Sequence, residues 1–207
     1  MTESMTMTLT ARAPFAELPL AAAATHGVWV TERDGLGIAN ILLRSGRRVA
    51  LAQRWRELTG TELPDGPRRV QARHVSIAGT GPDSWLCVTE TGGCIGADSL
   101  RLALAGTASV VDQSDGYAVL RLSGPQVRPT LAKLVPIDVH SRVFPVGGVA
   151  ITVAAHIGAI LWRLSDGGEG HPVFEIAVSR SMAGSFWHAL DSNAGEFGTL
   201  RVLLGAS

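Results

Sequence analysis

VVDQSDGYAVLRLSGPQVRPTLAKLVPIDVHSRVFPVGGVAITVAAHIGAILWRL, residues 110–164, carries the punctuation from which the fold is read. Ser114-Asp115-Gly116 is a turn by composition, and residues 117–122 alternate as a strand does. Ser123-Gly124-Pro125-Gln126 then ends the strand and opens a helix. Ser123 has the side chain of an N-cap, Pro125 sits where a missing N–H costs nothing, and Gln126 stands three residues on as the partner in a capping box. The helix is predicted over residues 125–134, with Val127, Leu131 and Leu134 on one face, stopping before Pro136. Two strands follow, 149–155 and 159–164, joined at His156-Ile157-Gly158.

Strand, Gly-Pro turn and helix is also the layout of phosphate-binding loops, where free N–H groups and the positive end of the helix dipole meet an anion. Neither G-x-G-x-x-G nor a GK[ST] ending is present, and Pro125 removes a donor, so a capped turn is the expected reading.

Upstream, residues 28–31 and 36–43 read as strands separated by Asp34-Gly35, a hairpin signal. A helix over 47–58 sets Leu51, Trp55 and Leu58 along one face and closes at Gly60. Strand character from residue 68 leads into the turn Gly79-Thr80-Gly81-Pro82-Asp83, and SWLCVT, residues 84–89, leaves it as the partner strand. A helix over 95–105, with Ala97, Leu100 and Leu104 inward and Gly106 at its end, precedes a strand at 109–113. From Leu36 the order is β-α-β-β-α-β.

Downstream of the opening stretch the same order returns. A strand at 173–178 follows the Gly167-Gly168-Glu169-Gly170 loop, a helix over 181–190 spaces Met182, Phe186 and Leu190, and residues 199–204 close the unit. The expected class is α+β, with two ferredoxin-like βαββαβ-type halves and one extra strand. Residues 1–26 read as a flexible leader or partner-contacting arm, 27–114 as the first half and 115–207 as the second.

Composition narrows the function. The 207 residues are 46% apolar, enough for a proper core. Lys+Arg 18 against Asp+Glu 18 gives zero net charge, which argues against nucleic acid or another polyanion as partner and suits a chain held within an assembly. Lys133 is the only lysine, placed in the last turn of its helix where it complements the dipole. The first residues lack a signal-peptide pattern and the apolar runs are too short to span a bilayer, so the expectation is a cytoplasmic protein without a membrane partner. Cys87 and Cys94 form no CxxC and read as reduced and buried.

Candidate chemistry is thin. Asp138 and His140 place a carboxylate and an imidazole two residues apart, a spacing open to acid-base work, half a metal site, or a stabilised turn. His26, His74, His156, His171 and His188 are scattered singly, and no G-x-S-x-G elbow is present. Ser84, Ser123 and Ser181 stand at element starts, where capping explains them. Trp29, Trp55, Trp85, Trp162 and Trp187 suit core packing, with one or two left for a subunit interface. A helix that turns Met182, Phe186 and Leu190 to its sheet leaves Ala183 and Trp187 displaced. Trp187 is therefore a candidate contact, with Phe197 and the hairpin residue His156 beside it as interface candidates.

GLGIANILLR, GTGPDSWLCV, the VVDQSDG run, LSGP with PIDVHSRVFPVG, the HIG hairpin and FEIAVSRSMAGSFWHAL followed by EFG together resemble the gamma subunit of heterotetrameric sarcosine oxidase. The resemblance spans about residues 36–198. It implies a shorter relative of the folate-binding aminomethyltransferase fold, with no catalytic, cofactor or metal residues of its own. It further implies alpha, beta and delta subunits as partners. The complex would oxidatively demethylate sarcosine to glycine, with formation of hydrogen peroxide and 5,10-methylenetetrahydrofolate, using FAD, FMN, NAD and tetrahydrofolate. Two other readings stay open: a free-standing folate-binding aminomethyltransferase-like protein, for which Asp138 is the loop acid to aim at a pterin, and a generic interaction module.

Overall fold

Two sheets lie face to face, each with two helices on its outer side. The computed structural model describes residues 12–15, 26–90, 93 and 95–201. In chain order the elements are β1 (Val28–Glu32), β2 (Gly37–Leu43), α1 (Arg48–Thr59), β3 (Arg69–Ala72), β4 (Val75–Gly81), β5 (Ser84–Thr89), α2 (Ala97–Ala103) and β6 (Ala108–Asp112). There follow β7 (Tyr117–Ser123), α3 (Val127–Leu134), β8 (Val149–Ala154), β9 (Ile157–Leu164), β10 (Val173–Ser179), α4 (Ala183–Ala194) and β11 (Thr199–Arg201).

The halves are β2-α1-β3-β4-β5-α2-β6 and β7-α3-β8-β9-β10-α4-β11, the same order twice. The five-stranded sheet runs β3-β4-β5-β2-β6 with every neighbour antiparallel, which is the ferredoxin-like arrangement with β3 added at one edge. The six-stranded sheet runs β11-β1-β7-β10-β9-β8. It repeats the scheme with β8 as the added edge and with β1 wedged between β7 and β11, antiparallel to the first and parallel to the second.

That wedge corrects the sequence reading. The strands on either side of Asp34-Gly35 do not form a hairpin: β1 lies in one sheet and β2 in the other. The Arg33 N–H still bonds the Val119 carbonyl at 2.9 Å, after which Gly35, at φ 70°, turns the chain across the gap. Residues 28–32 thus belong with the second half, not with a first half beginning at 27.

Three apolar clusters hold the layers. Val28, Val30, Leu120, Leu122, Phe174 and Ile176 meet Val127, Leu131, Phe186 and Leu190 of α3 and α4. Ile41, Ile77 and Cys87 meet Leu51, Trp55 and Leu100 of α1 and α2. Between the sheets, Leu36, Ile38, Leu86 and Val88 pack on Val119, Val149, Ile160 and Trp162. Because β7 and β10 are covered on both faces, their apolar runs are nearly continuous, whereas outer strands alternate.

The turn from β7 into α3 differs from expectation. Ser123 is the last strand residue, Gln126 occupies the N-cap, and no side chain caps the helix. The Gln126 N–H bonds the Gly27 carbonyl at 2.9 Å, so the start of β1 supplies what a capping side chain would have. Gly124 is required at φ 111°, because a Cβ there would lie 2.5 Å from the Gly27 carbonyl oxygen. With the Gln126 and Val127 N–H groups spent on the Gly27 and Gly124 carbonyls and none on Pro129, the first turn keeps few donors for a phosphate.

The hairpin between β8 and β9 is tighter than the predicted three-residue joint. Ala155 and His156 alone make the turn, at φ 48° and 68°, as a two-residue connection of this hand demands. On the last helix the buried stripe is Ala183, Phe186, Trp187, Leu190 and Ala194, while Met182 sits exposed in the turn before it. A core-facing stripe is wide enough for both Phe186 and Trp187, which the narrower expected face excluded.

Candidate functional site

Asp138 and His140 stand exposed in the loop after α3, and each is occupied by its own turn. The Asp138 carboxylate accepts the His140 N–H at 2.7 Å, and the imidazole Nδ1 accepts the Arg142 N–H at 3.3 Å. Of the open readings, turn stabilisation is the one this geometry serves. Among the described residues no three His, Cys, Asp or Glu side chains converge as a metal site. Cys94 lies outside the described residues. The Cys87 thiol is buried, and desolvation pushes its pKa up to about 12 against the opposing hydrogen bond from Thr89, which disfavours the nucleophilic thiolate at neutral pH. Among the described residues no helix is long and apolar enough to cross a membrane.

The concentrated polar chemistry is a charged junction at one end of the gap between the sheets. Glu175 of β10 is buried and points toward the gap. One of its oxygens accepts from Arg33 Nε at 2.9 Å and from Arg121 Nε and Nη2 at 2.9 and 2.7 Å. The other accepts the Trp162 indole N–H at 2.8 Å. Arg33 also pairs with Glu90, at the end of β5 in the opposite sheet. Burial pushes the nearby Arg69 guanidinium below the usual arginine range, with Glu175 and Glu90 pulling the other way. Glu175 has both oxygens engaged and Glu90 is tied to Arg33 from the opposite sheet, which makes the cluster a strut between the halves rather than an acid-base pair. Sequence reasoning passed over it because its members are scattered, Arg33 and Glu175 standing 142 residues apart.

The interface candidates separate. Trp187, expected on the surface, is 1% exposed in the core. Phe15 packs against it at 5.6 Å and the Arg201 guanidinium covers it at 5.2 Å. Glu32 holds both covers, accepting the Phe15 N–H at 2.8 Å and pairing with Arg201 at 2.9 Å. The described part of the leader therefore lies on the chain's own core. Phe197 is half-buried beneath the Lys133 ammonium, 4.8 Å from its ring. His156 stands exposed at the tip of the β8–β9 hairpin.

All five tryptophans are among the described residues, and four are buried; only Trp29 keeps part of its surface, with His171 against its ring at 5.2 Å. Exposed apolar side chains gather elsewhere. Ile151 of β8 and Leu42 of β2 line an open cleft of about 390 Å³, and Val153, two residues along β8 from Ile151, is exposed as well.

Residues 18–196 match the model of the sarcosine oxidase, gamma subunit family. A sarcosine oxidase subunit gamma from Arthrobacter sp is 36% identical over 110 residues, 52% of this chain and 54% of that protein. Its counterpart from Corynebacterium sp. strain P-1 is 34% identical over 127 residues, 59% of each. The chain thus spans a little over half the length of the curated relatives it matches. In three dimensions it resembles a chain of heterotetrameric sarcosine oxidase from Corynebacterium sp. U-96, solved in complex with pyrrole 2-carboxylate. The TM-score is 0.76 at 27% identity, over 93% of this chain and 98% of that one. Aminomethyltransferase T of the glycine cleavage system from Bartonella henselae shares the fold at 13% identity, with a TM-score of 0.64 over 86% of this chain and 48% of that one. A duplicated α+β scaffold, a match over most of the chain and a full-length structural counterpart together carry the assignment: this protein belongs to the sarcosine oxidase gamma subunit family.

Proposed function

We propose that the chain is the non-catalytic gamma subunit of a heterotetrameric sarcosine oxidase. The observation that carries this reading is the superposition on 98% of one chain of the Corynebacterium enzyme. In this role alpha, beta and delta subunits are the partners, and the complex oxidises sarcosine to glycine with FAD, FMN, NAD and tetrahydrofolate held by the other chains. The packing supports that division of labour. The middle of the gap between the sheets, where a planar ring could have been sandwiched, is filled by Ile38, Leu86, Val119 and Trp162. The acid set that a folate-binding protein would aim at a pterin has no counterpart in Asp138, which serves its own turn. His156 and Phe197 are the proposed contacts with the other subunits, and Trp187 acts from within by shaping the subunit.

The test is co-expression with the alpha, beta and delta chains. Sarcosine-dependent peroxide production should require the assembled complex, while the purified chain shows no flavin absorbance and makes no peroxide. An isolated chain that oxidises sarcosine, or an active complex that never incorporates the chain, overturns the assignment.

A further inference from the structure

β8 is an edge of the six-stranded sheet, and among the described residues no strand pairs along its outer side. The tight turn makes Ala154 and Ile157 a hydrogen-bonded pair, so Ala150, Thr152 and Ala154 spend their main-chain groups on β9. Val149, Ile151 and Val153 direct theirs outward. The first of these is already used: the Val149 N–H donates to the Pro67 carbonyl at 3.0 Å, and the Arg69 N–H donates to the Gly147 carbonyl at 2.7 Å. A single antiparallel bridge, Arg68 to Gly148, results. Beyond it the 64–67 loop and Ile151 line a common cleft, and among the described residues no hydrogen bond reaches the outward groups of Ile151 or Val153.

This edge lacks the protection given to the others. Natural edges are blunted by charge, proline, bulges or brevity. β3 carries Arg69 and Gln71, β11 is three residues long and contains Arg201, and β6 has its Val110 carbonyl covered by Arg101 at 3.2 Å. β8 reads VAITVA, without charge or proline, and leaves Ile151 55% and Val153 44% exposed. Ile151 also forms the wall between two clefts. One, of about 570 Å³, is lined by Pro64, Pro67, Pro82 and Trp85, with Arg48 paired to Asp65 and Asp83 in its wall. The other, of about 390 Å³, is lined by Leu42, Asn40 and Tyr117, with no charged side chain in its walls.

We propose that the outer edge of β8 is a strand-addition site that takes an extended, uncharged segment of another subunit. Main-chain bonds to Ile151 and Val153 would continue the pairing that Pro67 begins, while aliphatic side chains of the added segment enter the neutral cleft beside Leu42. A charged segment would lose its hydration there without finding a counter-charge. The exposed hairpin tip at His156 marks the far end of the same edge. The proposal rests on the reading of the chain as a subunit and names the surface and the chemistry of its partner.

The test compares three full-length chains in titrations against the co-expressed alpha, beta and delta subunits, with circular dichroism of each free chain. Val153→Pro removes one outward N–H and leaves the β9 ladder intact; Ile151→Lys puts charge at the cleft wall. The expected result is that both variants melt as the wild type does and bind at least tenfold more weakly. Wild-type affinity in either folded variant overturns the strand-addition site. Variants that are monomeric where the wild-type chain dimerises assign the edge to a second copy and overturn the heterologous partner. A wild-type chain that joins no alpha, beta or delta subunit refutes the subunit reading itself, a result distinct from loss of binding in the variants alone.

Discussion

The indole N–H of Trp162 donates to the Glu175 carboxylate at 2.8 Å between directly paired residues of β9 and β10. This bond turns one carboxylate oxygen toward the core and leaves the other to Arg33 and Arg121. A charge this deep is tolerated because both carboxylate oxygens accept hydrogen bonds, two of the donors being cations.

Glu175→Gln should therefore destabilise the chain by about 3 kcal/mol, since it removes the counter-charge that Arg33 and Arg121 share and leaves Arg33 with Glu90 alone. Arg121 is a third exposed and recovers part of its hydration, which places the effect at the lower end for a buried pair. Urea denaturation followed by circular dichroism reads it directly. A midpoint equal to the wild type's would mean that the cluster does not brace the two sheets.

Trp187→Ala and Trp29→Ala should part company in the same measurement. Trp187 is enclosed by Phe15, Arg201 and α4, and its loss opens a cavity that costs about 3–5 kcal/mol. Trp29 is only half-buried, and its loss should cost under about 2 kcal/mol. Equal losses, or the reverse order, would contradict the placement of Trp187 in the core.

Ser123 and Gly124 are neighbours with opposite expectations. With the helix cap supplied by the Gly27 carbonyl, Ser123→Ala should change stability by no more than about 0.5 kcal/mol. Gly124→Ala adds a Cβ at φ 111° against that same carbonyl and should cost at least about 1–2 kcal/mol. Paired thermal melts decide it, and a large loss in Ser123→Ala would restore the side-chain cap that the sequence suggested.

The Cys87 thiol titrates well above its unfolded value, so folding favours the neutral form. The stability this contributes is complete below the unfolded pKa of about 8.5 and is lost as pH rises toward about 12. In a Cys94→Ala background, alkylation of the native chain at pH 8 should run roughly a thousandfold slower than that of the urea-unfolded chain. Comparable rates would show a thiol open to solvent.

Local structure was legible because its causes are local. Gly60 ends α1 in the left-handed conformation its position suggested, at φ 73°, with its N–H on the Arg56 carbonyl. The Val127, Leu131, Leu134 stripe of α3 is buried as its spacing required. Even the repeated element order followed from turn chemistry and period, because each signal lies within a dozen residues of chain. The sheet that claims β1 was not legible. Asp34-Gly35 reads as a hairpin turn in isolation, and only the vacancy between β7 and β11, formed by segments far along the chain, draws Val28 to Glu32 away from β2. The same holds for Trp187, which periodicity alone left at the margin of its helix until Phe15 and Arg201, from near the two ends of the chain, closed over it. The open edge of β8 is likewise a tertiary fact. VAITVA specifies a strand by composition, but only the tertiary structure decides that, among the described residues, its outward main-chain bonding stops at the Val149–Pro67 contact. Sequence sets the conformations a segment prefers; which surfaces end up covered depends on contacts between residues too distant in the chain to leave a local pattern.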